Sequence, residues 1–117
     1  MSTFVYGYIH RMPHMSASDV VRMRNALQGF ALRQRSLLVK TFVLTRPEMR
    51  LSLWTRIGAT CRVARAGLVM PTLTHLHRDP HLAQFICQDL AGRIGHPVWV
   101  AGSAASAESG GREVKPG

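Results

Sequence analysis

Four short apolar, β-rich runs alternate with three amphipathic stretches along this chain, and that alternation limits its fold more than any single residue does. The runs are residues 3–9 (TFVYGYI), 37–44 (LLVKTFVL), 66–71 (AGLVMP) and 97–101 (PVWVA). The first shows no polar alternation, which suits a strand covered on both faces inside a sheet. A β-α-β-α-β-α-β order favours right-handed crossovers, and these produce a parallel sheet sandwiched between helices. The expected fold is therefore α/β, a three-layer sandwich of about four mainly parallel strands with helices on both faces. It occupies residues 1–101, and the Gly/Ser/Ala-rich residues 102–117 are expected to form a disordered tail.

Each helical stretch carries its own start signal. Ser16 and Asp19 stand three apart, as an N-cap and its partner do, and Val20, Met23, Leu27 and Phe30 then fall on one stripe. Thr45 and Glu48, with Pro47 between them, match a capping box and predict a helix reaching about Arg65. Its core stripe reads as Met49, Leu53 or Trp54, Ile57 and Cys61, leaving Arg50, Arg56, Arg62 and Arg65 on a basic outer surface. A loop over residues 72–78 precedes Asp79 and Pro80, which predict a third helix carried by Leu82, Phe85, Ile86 and Leu90 and stopped at Gly95.

With 117 residues there is length for one domain and its core. Fifteen Lys and Arg against six Asp and Glu leave a net charge of +9, a field that draws polyanions unless it merely decorates the surface. Both implications stay open. Cys61 and Cys87 lie in apolar helical patterns and read as reduced core thiols rather than as a metal or disulfide framework. No apolar run approaches the roughly 20 residues of a membrane helix, and residues 1–8 lack a secretory pattern, so a cytoplasmic protein without a membrane partner is expected. Paired-carboxylate chemistry is poorly supported, because Asp19, Glu48 and Asp79 already read as helix-start residues. Neither a G-x-G-x-x-G nor a Walker loop occurs, which disfavours a nucleotide-binding enzyme; no cofactor is expected.

Ligands of parallel sheets gather beyond the carboxyl ends of the strands, where strand order reverses. His10, Arg11 and His14 follow the first run, and His75, His77, Arg78 and His81 follow the third. Sharing one cleft, they would suit a phosphate, since guanidinium offers a planar fork of donors. Otherwise they form a solvated basic rim. His75, His77 and His81 also invite a zinc reading, but no carboxylate or thiolate accompanies them at a recognised spacing, and no metal site is assigned.

The segments Gly7-Tyr8-Ile9-His10-Arg11-Met12 and Leu73-Thr74-His75-Leu76-His77-Arg78 resemble two motifs of the serine recombinase catalytic domain, the resolvase and invertase family. In that family the first strand reads like G-Y-x-R-x-S and ends at the nucleophilic serine, while the third runs into L-D-R-L-x-R. The resemblance spans residues 4–101 and implies a resolvase-like fold. It also implies a phosphoryl transfer in which serine attacks a DNA phosphate and arginines stabilise the developing charge. Here Met12 stands at the serine position, His10 replaces the strand arginine, and Thr74 and His75 replace the Asp-Arg pair. Arg78 remains, and Arg46 or Arg50 would supply the arginine that follows the second strand. The 16 residues after Ala101 are too few for the family's dimerisation helix and DNA-binding region, so a stand-alone, degenerate member is expected.

On this basis the expected function is a resolvase-like domain without strand-transfer activity. His10, Arg11, Arg46, Arg50, His75, His77 and Arg78 would contact nucleic acid or a partner. The alternatives are a self-associating homodimeric interaction module without DNA affinity, and an enzyme using His10 and the 75–81 histidines on a small phosphorylated substrate.

Overall fold

Alternate residues of the first strand feed two separate cores, which fixes it in the interior of the sheet. In the computed structural model, which describes residues 3–102 and 112–114, strand β1 (Thr3–His10) sends Val5 and Ile9 to one face and Tyr8 to the other. Helix α1 (Ala17–Arg33) covers the first face with Leu27, Phe30 and Ala31. Helices α2 (Arg50–Ala64) and α3 (Pro80–Ile94) cover the second with Ile57, Cys61, Cys87, Leu90 and Ile94. The remaining strands are β2 (Ser36–Leu44), β3 (Gly67–Met70), β4 (Val98–Val100) and β5 (Arg112–Val114). Their order is β2-β1-β3-β4-β5; the first four run parallel, and β5 is antiparallel to β4. The fold is thus the expected α/β sandwich with helices on both faces, and no helix among the described residues is long and apolar enough to cross a membrane.

Local chemistry accounts for most element boundaries. The Ser16 hydroxyl accepts from the Asp19 backbone N–H while the Asp19 carboxylate accepts from the Ser16 N–H at 2.8 Å, the reciprocal cap the spacing predicted. The Ser16 backbone N–H, and after it the Ser16 side chain, hold the Asp19 carboxyl below its ordinary range. Asp79 caps α3 by accepting from the His81 and Leu82 N–H groups, and Gly95 ends that helix with φ at 75°, a backbone that glycine adopts without strain. Gly67 begins β3 where the Pro97 carbonyl lies 2.7 Å from the place a Cβ would occupy, so only glycine allows β3 to approach so closely.

Four expectations need correction. Thr45 and Glu48 do not close a capping box: residues Pro47–Met49 form a 3₁₀ turn without a side-chain cap, and α2 begins only at Arg50. Proline fits the first position of that tighter turn because no N–H is needed there, and Met49 is left outside the helix and exposed rather than on its core stripe. On α3, Leu82 and Phe85 are 48% and 69% exposed, because the small residues Ala83 and Cys87 turn toward the sheet and let the helix pack closely. The 72–78 segment contains a second 3₁₀ turn, Leu73–His75. Lastly, Arg112–Val114 of the presumed tail pair with β4, whose outer edge would otherwise leave its backbone groups without ladder partners; residues 103–111 and 115–117 lie outside the described residues.

The pairing of β1 with β2 slips between Val5 and Tyr6, since Val5 faces Leu38 but Tyr6 faces Lys40. Val39 is the extra residue of this bulge. Cys61 and Cys87 are both buried core thiols, and burial pushes the Cys61 thiol up to about 12.

Candidate functional site

From β1 the chain crosses outward to β2, then returns past β1 to β3, so strand order reverses between β1 and β3. At that point His10 ends β1, and the 3₁₀ turn after β3 brings His75 against it. The His10 backbone N–H donates to His75 Nδ1 at 2.9 Å across 65 positions of sequence. An imidazole nitrogen that accepts carries no proton, so neutral His75 keeps its hydrogen on Nε2. Burial, with 4% of the residue exposed, and the neighbouring His10 together lower the His75 pKa to about 4. His75 therefore acts as a neutral brace beneath the site.

Above this brace opens a cleft of about 370 Å³ lined by His10, Met12, Arg50, Thr74, His77 and Arg78. No carboxylate of the described residues lines it. Arg50 enters from the first turn of α2, and Arg78 from the segment before α3. His77 is fixed by its own chain, its Nδ1 accepting from the Asp79 N–H at 3.0 Å. The Thr74 hydroxyl lies 2.6 Å from the Thr72 hydroxyl. Partial burial, then the Arg50 guanidinium, lowers the His10 pKa, so His10 resists adding a further positive charge.

Arg50 also marks the inner wall. Its guanidinium carbon sits 5.8 Å from the centroid of the Trp54 ring, one helical turn away. Tyr8, two residues before His10 and on the same strand face, is fully buried nearby. Burial raises the Tyr8 pKa, against the lowering influence of Trp54 and Arg50. Tyr8 Oη, Trp54 Nε1 and Arg50 Nε are buried without a hydrogen-bond partner of normal geometry. The sequence reading missed Tyr8 and Trp54, although strand period two from His10 and helix spacing four from Arg50 both point to them.

Most of the expected site assembles. His10, Met12, Arg50, Thr74, His75, His77 and Arg78 come together. Arg11 does not join them: it is exposed, and its side chain donates to the Met15 carbonyl at 3.4 Å. Arg46 lines a separate groove of about 130 Å³ with Thr45, Met49, Ser52 and Arg56. With the 3₁₀ turn between them, Arg50 lines the cleft and Arg46 does not. His14 lies across the sheet, lining a larger hollow, and His81 is exposed at the start of α3. Among the described residues no three His, Cys, Asp or Glu side chains gather to hold a metal ion, since His75 points inward while His81 stays in solvent.

Comparison with known proteins yields no match to any family model, curated protein or solved structure.

Proposed function

We propose that this chain is a resolvase-like domain that holds nucleic-acid phosphates in the cleft between the ends of β1 and β3 without cutting the strand. One observation carries the proposal: two guanidinium groups and two imidazoles face a single cleft that no described carboxylate enters. Such an array attracts a phosphodiester, and guanidinium groups bind its oxygens through charge-assisted bonds. The net charge of +9 supplies the longer-range attraction. Strand transfer is a different matter, because Met12 brings a thioether to the cleft where the family resemblance places a hydroxyl. Thr74 does offer a hydroxyl, but the Thr72 hydroxyl engages it.

The test is a titration of fluorescein-labelled oligonucleotide against salt. Affinity should fall steeply between about 50 and 200 mM salt, as counterion release requires, and Arg78→Ala should weaken it about tenfold. A flat salt response, or an Arg78→Ala variant that binds like the parent, would remove the proposal.

A second function, self-association, has one specific observation in its favour. Leu82 and Phe85 stand one turn apart and exposed on α3, a large apolar pair without cover from the described chain. Sedimentation should then show dimers that Phe85→Glu converts to monomers. Monomers of the parent chain at micromolar concentration would exclude it.

A further inference from the structure

A second groove lies next to the cleft. The cleft's His10 is the register partner of Leu44 on β2, and Leu44 lines the neighbouring groove that holds Arg46 and Arg56. Val43, which also lines that groove, lines a third depression as well, of about 360 Å³, where Arg24 and Gln28 of α1 face Lys40 and Thr41 of β2. The three depressions thus follow one another around the β2 side of the sheet, the second and third sharing Val43 and the first separated from the second by the paired ends of β1 and β2. None of them is lined by a described carboxylate; Glu48 is exposed in the 3₁₀ turn that precedes Arg50, and Asp79 follows Arg78 as the cap of α3.

The path has a sharp bend. The groove with Arg46 and Arg56 belongs to the α2 face of the sheet, whereas the depression with Arg24 and Lys40 belongs to the α1 face. Between them lies Val43 of β2, the edge strand, 38% exposed. Among the described residues no strand pairs with the outer side of β2, and outward backbone N–H groups beside Val43 offer further donors along the way. A ligand following all three depressions must therefore fold around the rim of one sheet within about three strand residues, roughly 10 Å. Duplex DNA, with a persistence length of about 50 nm, cannot bend so tightly, but a single strand can.

We infer that the ligand is a single-stranded nucleic acid whose backbone leaves the cleft at Arg50, passes Arg46 and Arg56, and wraps the β2 edge to reach Arg24 and Lys40. This inference rests on the phosphate-binding role proposed above and adds the strand type and its route. No Phe, Tyr or Trp ring lines the three depressions, so recognition is chiefly of phosphates and largely indifferent to base sequence.

Fluorescence anisotropy with a labelled oligothymidylate of about 15 nucleotides, and with a blunt duplex of equal length, tests it. The parent chain should prefer the single strand. Arg46→Glu/Arg56→Glu and Arg24→Glu/Lys40→Glu should each weaken single-strand binding at least tenfold and flatten the salt slope by more than one unit. Arg93→Glu supplies the control, since it alters charge at the far end of α3, beside Asp89 and outside the path. Equal binding of duplex and single strand, or a loss with Arg93→Glu as large as with the path variants, overturns the inference. Loss with Arg78→Ala alone, the path variants binding normally, overturns the route while leaving the cleft in place. Absence of salt-dependent binding to either nucleic acid overturns both.

Discussion

Two hollows open at the carboxyl ends of the strands, on opposite faces of the sheet, and the smaller is the better candidate for function. The larger, about 520 Å³, lies against α1 and is lined by His14, Met15, Met23, Leu27, Pro71 and Ala101, with Asp19 and Arg22 paired to each other at its rim. Its charge is already satisfied internally. The smaller, against α2 and α3, gathers guanidinium and imidazole groups with no described carboxylate to answer them. Size locates empty space, whereas unanswered charge locates a ligand.

The largest effect that sharpens this contrast comes from reversing charge in the smaller cleft. Arg50→Glu with Arg78→Glu should reduce nucleic-acid affinity by about 100-fold or more, since each lost charge-assisted bond is worth roughly 1.5–3 kcal/mol. Ala26→Glu, which places a carboxylate at the lining of the larger hollow, should change affinity less than about threefold. Reversed sensitivities in the same anisotropy titration would move the site to the α1 face.

Next in size is a pH effect that belongs to the smaller cleft alone. The folded chain resists protonating His75 until about pH 4, whereas the unfolded chain takes the proton near 6.5, so the unfolded state binds more protons between these values. The stabilisation is complete above pH 6.5 and is lost as pH falls toward 4, a difference of about 3 kcal/mol. Urea denaturation across this range should show it. His75→Asn keeps an acceptor for the His10 N–H but cannot titrate, and should flatten that part of the profile; an unchanged slope would mean that His75 does not brace the cleft.

A smaller change should separate stability from binding. Ser16→Ala removes the cap of α1 beside the larger hollow and should cost about 1 kcal/mol, read as a lower thermal midpoint with oligonucleotide affinity intact. The smallest expected effect is on chemistry. Met12→Ser returns a hydroxyl to the cleft, yet supercoiled plasmid should remain uncut, because His10, Thr74 and His75 still stand where the resemblance places the charge-stabilising residues. A covalent protein–DNA adduct would contradict that.

How much of this was legible in the sequence depends on the range over which each cause acts. The caps at Ser16 and Asp79 and the stop at Gly95 are settled within one turn, and the structure keeps all three. The convergence of His10 and His75 was legible too, because crossover handedness brings the ends of β1 and β3 together whatever the detail. What failed required tertiary information. Nothing local decides between a capping box at Thr45 and a 3₁₀ turn at Pro47, yet that choice places Arg50 rather than Arg46 in the cleft. The rotation of α3 follows from how closely Ala83 and Cys87 approach the sheet, which hydrophobic periodicity around Leu82 and Phe85 does not encode. Strand β5 forms because an edge awaits it, not because Arg112, Glu113 and Val114 demand extension.

The bulge at Val39 bears on solubility at high concentration. Strand β2 combines nine residues with exposed Leu37, Val39 and Val43, a composition that in a regular ladder invites chains to polymerise edge to edge. The extra residue breaks the repeat midway and sets Lys40 opposite Tyr6, so a second β2 finds neither a continuous row of donors nor a neutral surface. Deletion of Val39 should therefore restore a regular repeat and make this edge more prone to self-association.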